Sequence, residues 1–289
     1  MTSTLHDTKQ DAKQGAGDFV LTGEGIRYNN IIIRLAKNKE EIEAAQALRY
    51  RVFYEEQNAH ASEEIRAAKR DFDRFDEIAD HLIVIDADKD TLAEQVVGNY
   101  RILRHEGATI ASKPCYTDTE YDISKLKEQK ENMIEVGRSC VDVDYRTKPV
   151  LQLLWQGLAE YMEHHNIRYF IGCASFRGTD PKEYAQALSY LYHYHLAEDD
   201  VCPRALEEYY VDMNMLPKEE IDPKAAFKSL PPLIKGYMRV GASVGDGAFV
   251  DEQWGSTDVC IVFDAHKASE KYRKHYARKT TTSSYAPSE

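Results

Sequence analysis

Apolar positions along the chain recur with a period near two in some stretches and near three and a half in others, which separates strands from helices. Ile31-Ile32-Ile33-Arg34-Leu35 is a short strand. Asn38 followed by Glu41 has the form of a capping box, and Ile42, Ala45, Leu48, Val52 and Phe53 then share one helical face, with Arg49 beside it. Residues 81–85 and 96–103 read as strands, and 133–141 as a third. Pro149 suits a first helical position, where no N–H is needed, and the helix it opens runs to about His165 with a broad apolar face. Residues 168–174 form a buried-looking strand, 184–196 a Tyr-rich helix, and 235–240 and 258–263 the last strands, with Gly241, Gly245 and Gly247 read as turns between them. Residues 116–131 predict a mostly solvated helix, 217–232 a loop, and 265–279 (AHKASEKYRKHYARK) a basic terminal helix. Residues 1–30 and 281–289 are polar and aperiodic, the pattern of disordered tails around a single domain from 31 to 280. Some strands follow one another directly, which predicts an α/β or α+β domain without a strictly alternating wound sheet.

Composition narrows the class. With 43% hydrophobic and 30% charged residues the chain is that of a globular protein, and no apolar run approaches the ~20 residues of a membrane span. The first residues have no apolar core or cleavage pattern, so no secretory signal is expected. Five cysteines, widely spaced and without a CxxC pair, fit reduced thiols in the cytoplasm and not a disulfide framework or zinc site. A net charge of −12 argues against sequence-independent nucleic-acid binding. Asp71, Asp73 and Asp76 lack the further ligands and glycine of a calcium loop, and His193 and His195 have no third ligand nearby in sequence, so no metal is expected.

The stretch with the most chemistry is Met133 to Arg146, MIEVGRSCVDVDYR. Gly137 interrupts a run of strand formers, which marks a bulge or a close backbone approach, and a bulge turns N–H groups out of the ladder. Glu135 and Arg138 flank that interruption. An acid beside free N–H donors suits deprotonation of an amine and stabilisation of an oxyanion at one spot. An ordinary strand whose Glu and Arg pair in solvent fits the same letters.

The segments LRYRVFYEE (48–56), FDEIADHLIV (75–84), EVGRSCVDVDYR (135–146), GCASFRGTDP (172–181) and PPLIKGYMRVGASVG (231–245) together resemble the GNAT-type N-acyltransferases, most closely the ornithine-lipid N-acyltransferases of the hemolysin-like branch. The resemblance runs in order through residues 31–276. It implies an α+β fold with a central mixed, mostly antiparallel sheet flanked by helices. It also implies transfer of a 3-hydroxyacyl group from acyl carrier protein to the α-amine of ornithine, giving lyso-ornithine lipid, with no bound cofactor. A fainter similarity to acyl-homoserine-lactone synthases places their pattern on Arg49, Phe53, Asp73, Asp76, Arg101, Glu135 and Arg138. Those synthases carry a tryptophan after the first helix where this chain has Gln57-Asn58-Ala59, and they lack the 231–245 segment, so a quorum-signal synthase is disfavoured.

On this reading Glu135 is the candidate base and Gly137 marks the oxyanion donors, with Arg138 beside them. Asp73 and Asp76 suit the cationic end of ornithine, and Arg49 or Arg101 its carboxylate. Phe53, Tyr100 and Trp155 are candidate linings for the acyl chain. The loop from Arg146 to Leu151 has no glycine, and Pro149 removes a donor, so it is a poor cradle for the pyrophosphate of coenzyme A. Arg146 and Lys148 would instead meet the single phosphate of a carrier's phosphopantetheine arm. The basic 265–279 helix suits an acidic carrier or anionic headgroups, which allows a peripheral place on the inner membrane. The alternatives are acylation of another amino acid such as glutamine or lysine, a coenzyme A-dependent reaction, and a non-catalytic membrane-associated role.

Overall fold

The computed structural model describes residues 19–106, 114–146 and 148–267. Its strands are β1 (Ile26–Tyr28), β2 (Ile31–Leu35), β3 (Asp80–Asp86), β4 (Val96–His105), β5 (Tyr121–Asp122), β6 (Met133–Val141), β7 (Tyr169–Arg177), β8 (Arg204–Ala205), β9 (Ser243–Asp251) and β10 (Ser256–Asp264). The helices are α1 (Lys39–Tyr50), α2 (Glu63–Ala68), α3 (Leu92–Gln95), α4 (Ser124–Glu128), α5 (Lys148–His164), α6 (Ala185–His195), α7 (Pro223–Ser229) and α8 (Pro232–Val240). One sheet runs in the order β1-β2-β3-β4-β6-β7-β10-β9-β8-β5. Its pairs are antiparallel except β6–β7 and β8–β9, so the sheet is mixed and mostly antiparallel, as expected.

The two faces of the sheet bury different things. One packs Tyr100, Ile102, Ile134, Val136, Phe170, Ala174, Val259 and Ile261 against apolar residues of α5, α6, α7 and α8. The other packs Met133, Tyr169, Ile171 and Val262 against Cys115, Tyr121, Ile123 and Leu126, and carries α1 on Ile83 and Ile85. Neighbouring residues of each strand therefore report on opposite sides of the molecule.

β6 and β7 pair in parallel at Met133–Tyr169, Ile134–Phe170 and Glu135–Ile171, and no further, although both strands continue. The strand that carries Glu135 is therefore splayed from its neighbour beyond that residue. At the fork a Cβ on Gly172 would stand 2.2 Å from the Val136 carbonyl oxygen, so only glycine lets the backbones close there. Gly172→Ala is expected to destabilise the fold by about 1–3 kcal/mol, because backbone and not a flexible side chain must move. Urea unfolding checks this, and a loss below about 0.5 kcal/mol would mean the fork opens freely.

Several predicted elements are corrected. Residues 235–240 are helix, not strand: Pro231 and Pro232 open α8, Ile234, Tyr237 and Met238 bury one side of it, and Gly241 (φ 91°) ends it in the left-handed region. The 217–232 loop contains α7, capped by the Asp222 carboxylate on the Lys224 and Ala225 N–H groups. Residues 116–131 are a 3-10 turn, a two-residue strand and the short α4, with Thr117, Tyr121, Ile123 and Leu126 buried. Gly245 and Gly247 lie inside β9. Structured chain reaches back past residue 31: Leu21 is fully buried, Phe19 stacks on His164, and β1 starts at Ile26. The expected tails at 1–18 and 281–289, and the basic helix from residue 268 on, lie outside the described residues. Among the described residues no helix is long and apolar enough to cross a membrane.

Candidate active site

A cavity of about 460 Å³ opens where β6 and β7 part. On the helix-covered face of the sheet its wall is Tyr100, Val136, Ala174, Leu233 and Tyr237. On the opposite face it is polar, with Arg101, Thr117, Glu120, Glu135, Cys173 and Ser175. The fork thus joins an apolar compartment to a charged one through the sheet. Tyr100 lines the cavity on its helix-covered side and Phe53, edge-on to Trp254, lines it beside the α1 cluster, whereas Trp155 packs edge-on to Tyr237 and is not part of the wall.

Glu135 lies on the charged side, 4% exposed. One carboxylate oxygen accepts the Tyr116 N–H at 2.7 Å, and the other accepts the N–H (2.5 Å) and hydroxyl of Thr117. Burial pushes its carboxyl up, against the pull of those donors, so it is more basic than a solvated glutamate. It does not pair with Arg138. His105, Cys115 and Glu135 offer ligand atoms within 4.8 Å of one another, but burial raises the thiol and so disfavours the thiolate that a metal would need.

The bulge is real but sits one residue beyond the expected place. Between β4 and β6 the register shifts opposite Tyr100, and the left-handed residue is Arg138 (φ 51°). A Cβ on Gly137 would meet no atom within 4 Å, so that glycine lines the cavity without being required by backbone geometry. The left-handed turn at Arg138 costs roughly 1–2 kcal/mol, and the geometry it gives is specific. The guanidinium reaches Asp71 and Asp73 at 3.1 Å each and lies over the rings of Tyr116 and Trp254.

Three arginines and three aspartates form a closed network behind the charged wall. Arg49, fully buried, donates to Asp71 at 2.8 Å and to both oxygens of Asp76 at 2.7 and 2.9 Å. Arg101 donates to Asp73 at 2.6 Å, and the Tyr54 hydroxyl to Asp71 at 2.9 Å. The Arg49 guanidinium holds the Asp76 carboxyl down to about 2 despite burial. Of the residues expected to contact the amino acid, Arg101 and Arg138 line the cavity with Phe53, Glu135 and Gly137, whereas Arg49, Asp73 and Asp76 do not. The correction has a simple cause: Asp73 and Asp76 are neutralised by arginines, and Arg49 is enclosed by two aspartates, which leaves none of the three for a substrate.

Arg146 pairs with both oxygens of Glu56 at 2.7 and 2.5 Å and caps the Val141 carbonyl at 3.0 Å. Lys148 is the first residue of α5, and its side chain lies outside the described residues. His193 and His195 bond the Leu216 carbonyl and the Tyr190 hydroxyl.

Sequence reasoning passed over the other wall residues: Tyr116, Thr117, Glu120, Arg177, Tyr237, Asp251, Trp254 and Asp258. Burial pushes Glu120 up to about 8 and Asp258 to about 6. Arg177, exposed and lining the cavity, makes no direct salt bridge among the described residues, and its charge helps hold the Glu56 carboxyl down.

A forked mixed sheet with a basic carboxylate and a through-sheet cavity at the fork defines a GNAT-type N-acyltransferase, and residues 48–156 match the acetyltransferase (GNAT) domain family. Within that class the chain belongs to the L-ornithine N(alpha)-acyltransferases. It is 43% identical to the L-ornithine N(alpha)-acyltransferase of Brucella abortus (strain 2308) over 90% of this chain and 92% of that one. It is 46% identical to that of Rhizobium meliloti (strain 1021) over 86% and 85%. Among solved structures it is similar to the coenzyme A-dependent acyl-homoserine lactone synthase BjaI, at 11% identity, a TM-score of 0.48, and coverage of 87% of this chain and 89% of that one.

Proposed function

We propose that the protein transfers a 3-hydroxyacyl group from the phosphopantetheine thioester of an acyl carrier protein to the α-amine of ornithine, giving lyso-ornithine lipid. The observation that carries this reading is the cavity at the fork, apolar on one face of the sheet and carboxylate-lined on the other. The acyl chain and pantetheine arm take the apolar side, past Tyr100, Val136, Leu233 and Tyr237. The amino acid enters from the charged side, with Arg177 facing its carboxylate.

An α-amine is mostly protonated at neutral pH and must lose a proton before it attacks. Glu135, made more basic by burial, takes that proton directly or through a water. The nitrogen then adds to the thioester carbon, and N–H groups on the β6 edge that has lost β7 as a partner stabilise the oxyanion. Glu135 passes that first proton to water and takes the second from the adduct's nitrogen. Collapse then forms the amide and expels the pantetheine thiolate, which receives the second proton from Glu135, so one proton is released to solvent per turnover. The test is a purified-protein assay with acyl carrier thioester and a panel including ornithine, lysine and glutamine. Ornithine is expected to lead the panel, and preference for another acceptor would overturn its choice.

The donor has its own test. α5 begins at Lys148-Pro149, so its first turn lacks a donor for a pyrophosphate, and Arg146, expected to meet the carrier arm's phosphate, is held by Glu56 and offers that phosphate no free charge. Free acyl-coenzyme A is therefore expected to be at least about tenfold poorer than the same acyl group on carrier protein. The carrier reaction should weaken as salt rises, because its basic contacts meet an acidic partner, and the same contacts would allow peripheral association with anionic lipid. Equal use of acyl-coenzyme A with a salt-insensitive carrier reaction would make the enzyme coenzyme A-dependent.

A further inference from the structure

We propose that Glu120, Asp251 and Asp258 form a receptor for the distal ammonium of a basic amino acid, and that this end of the cavity selects ornithine over neutral amino acids. The inference rests on the acyl transfer proposed above and assigns its acceptor specificity.

The three carboxylates reach one place from different elements. Asp258 sits on β10 directly opposite Ser175 of β7. Because strand residues alternate, Asp258 shares the charged side of the sheet with Cys173, Ser175 and Cys260. Glu120 follows the Thr117–Thr119 turn, and its carboxylate takes the Cys173 thiol at 2.9 Å. Asp251 ends β9, where one oxygen accepts the Trp254 N–H at 2.9 Å. All three line the cavity and are 4–8% exposed.

What distinguishes this group from an ordinary acidic cluster is one unsatisfied buried oxygen and the lack of any ion pair to the three among the described residues. Asp258 is 6% exposed, lines the cavity, and its Oδ1 has no hydrogen-bond partner. A buried carboxylate oxygen left unsatisfied is uncommon in a folded protein and calls for a donor from outside. None of the cavity's three arginines pairs with Asp258 among the described residues: Arg177, on β7 opposite Ser256, makes no ion pair with it. Arg101 and Arg138 are bound to Asp71 and Asp73 in the network behind the opposite wall. Burial, and after it repulsion from Asp251, hold Glu120 and Asp258 well above ordinary carboxylates, a state that an incoming cation relieves. Cys173 on the first, and Ser175 and Ser256 on the second, pull the other way. An ammonium, with three donors in a tripod, suits three surrounding acceptors.

The placement also orders the two amines of ornithine. Glu135 stands on β6 at the fork, where the thioester arrives, and Asp258 stands two strands away, across β7 on β10. Two strand spacings and an offset of four residues along β7, from Ile171 opposite Glu135 to Ser175 opposite Asp258, separate them by roughly 16 Å at the backbone, with both side chains on the same face. An extended acceptor with amines at the two ends of a four-carbon chain points its α-amine towards Glu135 when its far end is anchored at Asp258.

The test compares ornithine with norvaline, which has the same carbon chain without the δ-amine, using full-length protein and acyl carrier thioester. The wild type is expected to prefer ornithine by about 100-fold in kcat/KM, the scale of a buried charge pair that loses one partner. In Asp258→Asn that preference should fall below about tenfold. The loss should appear as a raised KM for ornithine, with kcat nearly kept and norvaline turnover unchanged. Its melting temperature should hold or rise, because an orphan charge is removed, whereas a purely structural residue would lower it and slow both substrates alike. Should Asp258→Asn fail to fold, Asp251→Asn at the β9–β10 turn carries the same comparison. Equal use of norvaline by the wild type, or full ornithine preference in a folded variant, overturns the receptor. If the wild type turns over no ornithine at all, the activity falls instead. Calorimetric binding of ornithine against norvaline then decides the receptor alone: tighter ornithine binding that Asp258→Asn abolishes upholds it, and equal binding overturns it.

Discussion

Glu135→Gln is expected to lower kcat/KM for the amino-acid acceptor by about 100-fold at neutral pH, and to lower the melting temperature as well. The catalytic loss follows from removing the base, which typically contributes 100-fold or more. The stability loss follows from the hydrogen bonds. Both carboxylate oxygens face donors, from Tyr116 on one side and Thr117 on the other. A glutamine amide has one oxygen, so its NH₂ must oppose one of those N–H groups, and a buried unmatched donor costs about 1–3 kcal/mol. The sign of the pH dependence separates the two effects. In the wild type a carboxyl raised by burial must ionise before it can act, so turnover falls on the acid side of its own titration. In Glu135→Gln that group no longer titrates, and the remaining turnover should climb with pH as the free-amine fraction grows. Rates taken below the variant's own melting transition make the comparison. Turnover within about threefold of wild type would remove Glu135 from the mechanism and leave it as the anchor of the 116–117 turn.

The strands of the sheet and the buried glutamate at its centre were legible because each is written locally. Alternation marked β2, β3, β4 and β6, and a Glu within an apolar run stood out at residue 135. What escaped depends on pairing across the chain. Asp258 at the start of DVCIVF looks like a solvated strand end, and only its register opposite Ser175 turns it into the cavity. Glu120 was hidden in a run read as a solvated helix, and that reading failed because Tyr121, Ile123 and Leu126 have no helical period yet are buried. For α8 the signal was present: two prolines at its start, apolar residues at 234, 237 and 238, and a glycine after its end. The alternation in KGYMRV outweighed it. The aspartates were assigned to substrate because sequence shows charges without their partners, and Arg49 is 22 residues from Asp71 and 27 from Asp76.

That network predicts the largest stability effect. Arg49→Met is expected to destabilise the protein by about 3–5 kcal/mol at pH 7, because it strands two buried carboxylates and does not simply delete a contact. For a chain of this size that is a fall of roughly 10 °C or more in melting temperature. Arg49→Lys keeps the charge but lacks the fork that meets Asp71 and both oxygens of Asp76, so it should recover only part of the loss. The pH dependence provides the decisive sign. Asp76 is depressed to about 2 in the folded protein, against an ordinary value of 3.8. A depressed carboxyl contributes stability that is fully present above its unfolded value and is lost as pH falls through its folded one, here between about 4 and 2, amounting to about 2 kcal/mol. Without Arg49 that contribution is absent at every pH. The gap between wild type and Arg49→Met should therefore be widest near pH 7 and narrow as the wild type approaches pH 2. Urea unfolding at pH 7 and at about pH 3 measures both ends. A gap below about 1 kcal/mol at pH 7, unchanged in acid, would mean that Asp71 and Asp76 find water once the arginine is gone, and that the network orients Arg101 and Arg138 without holding the fold.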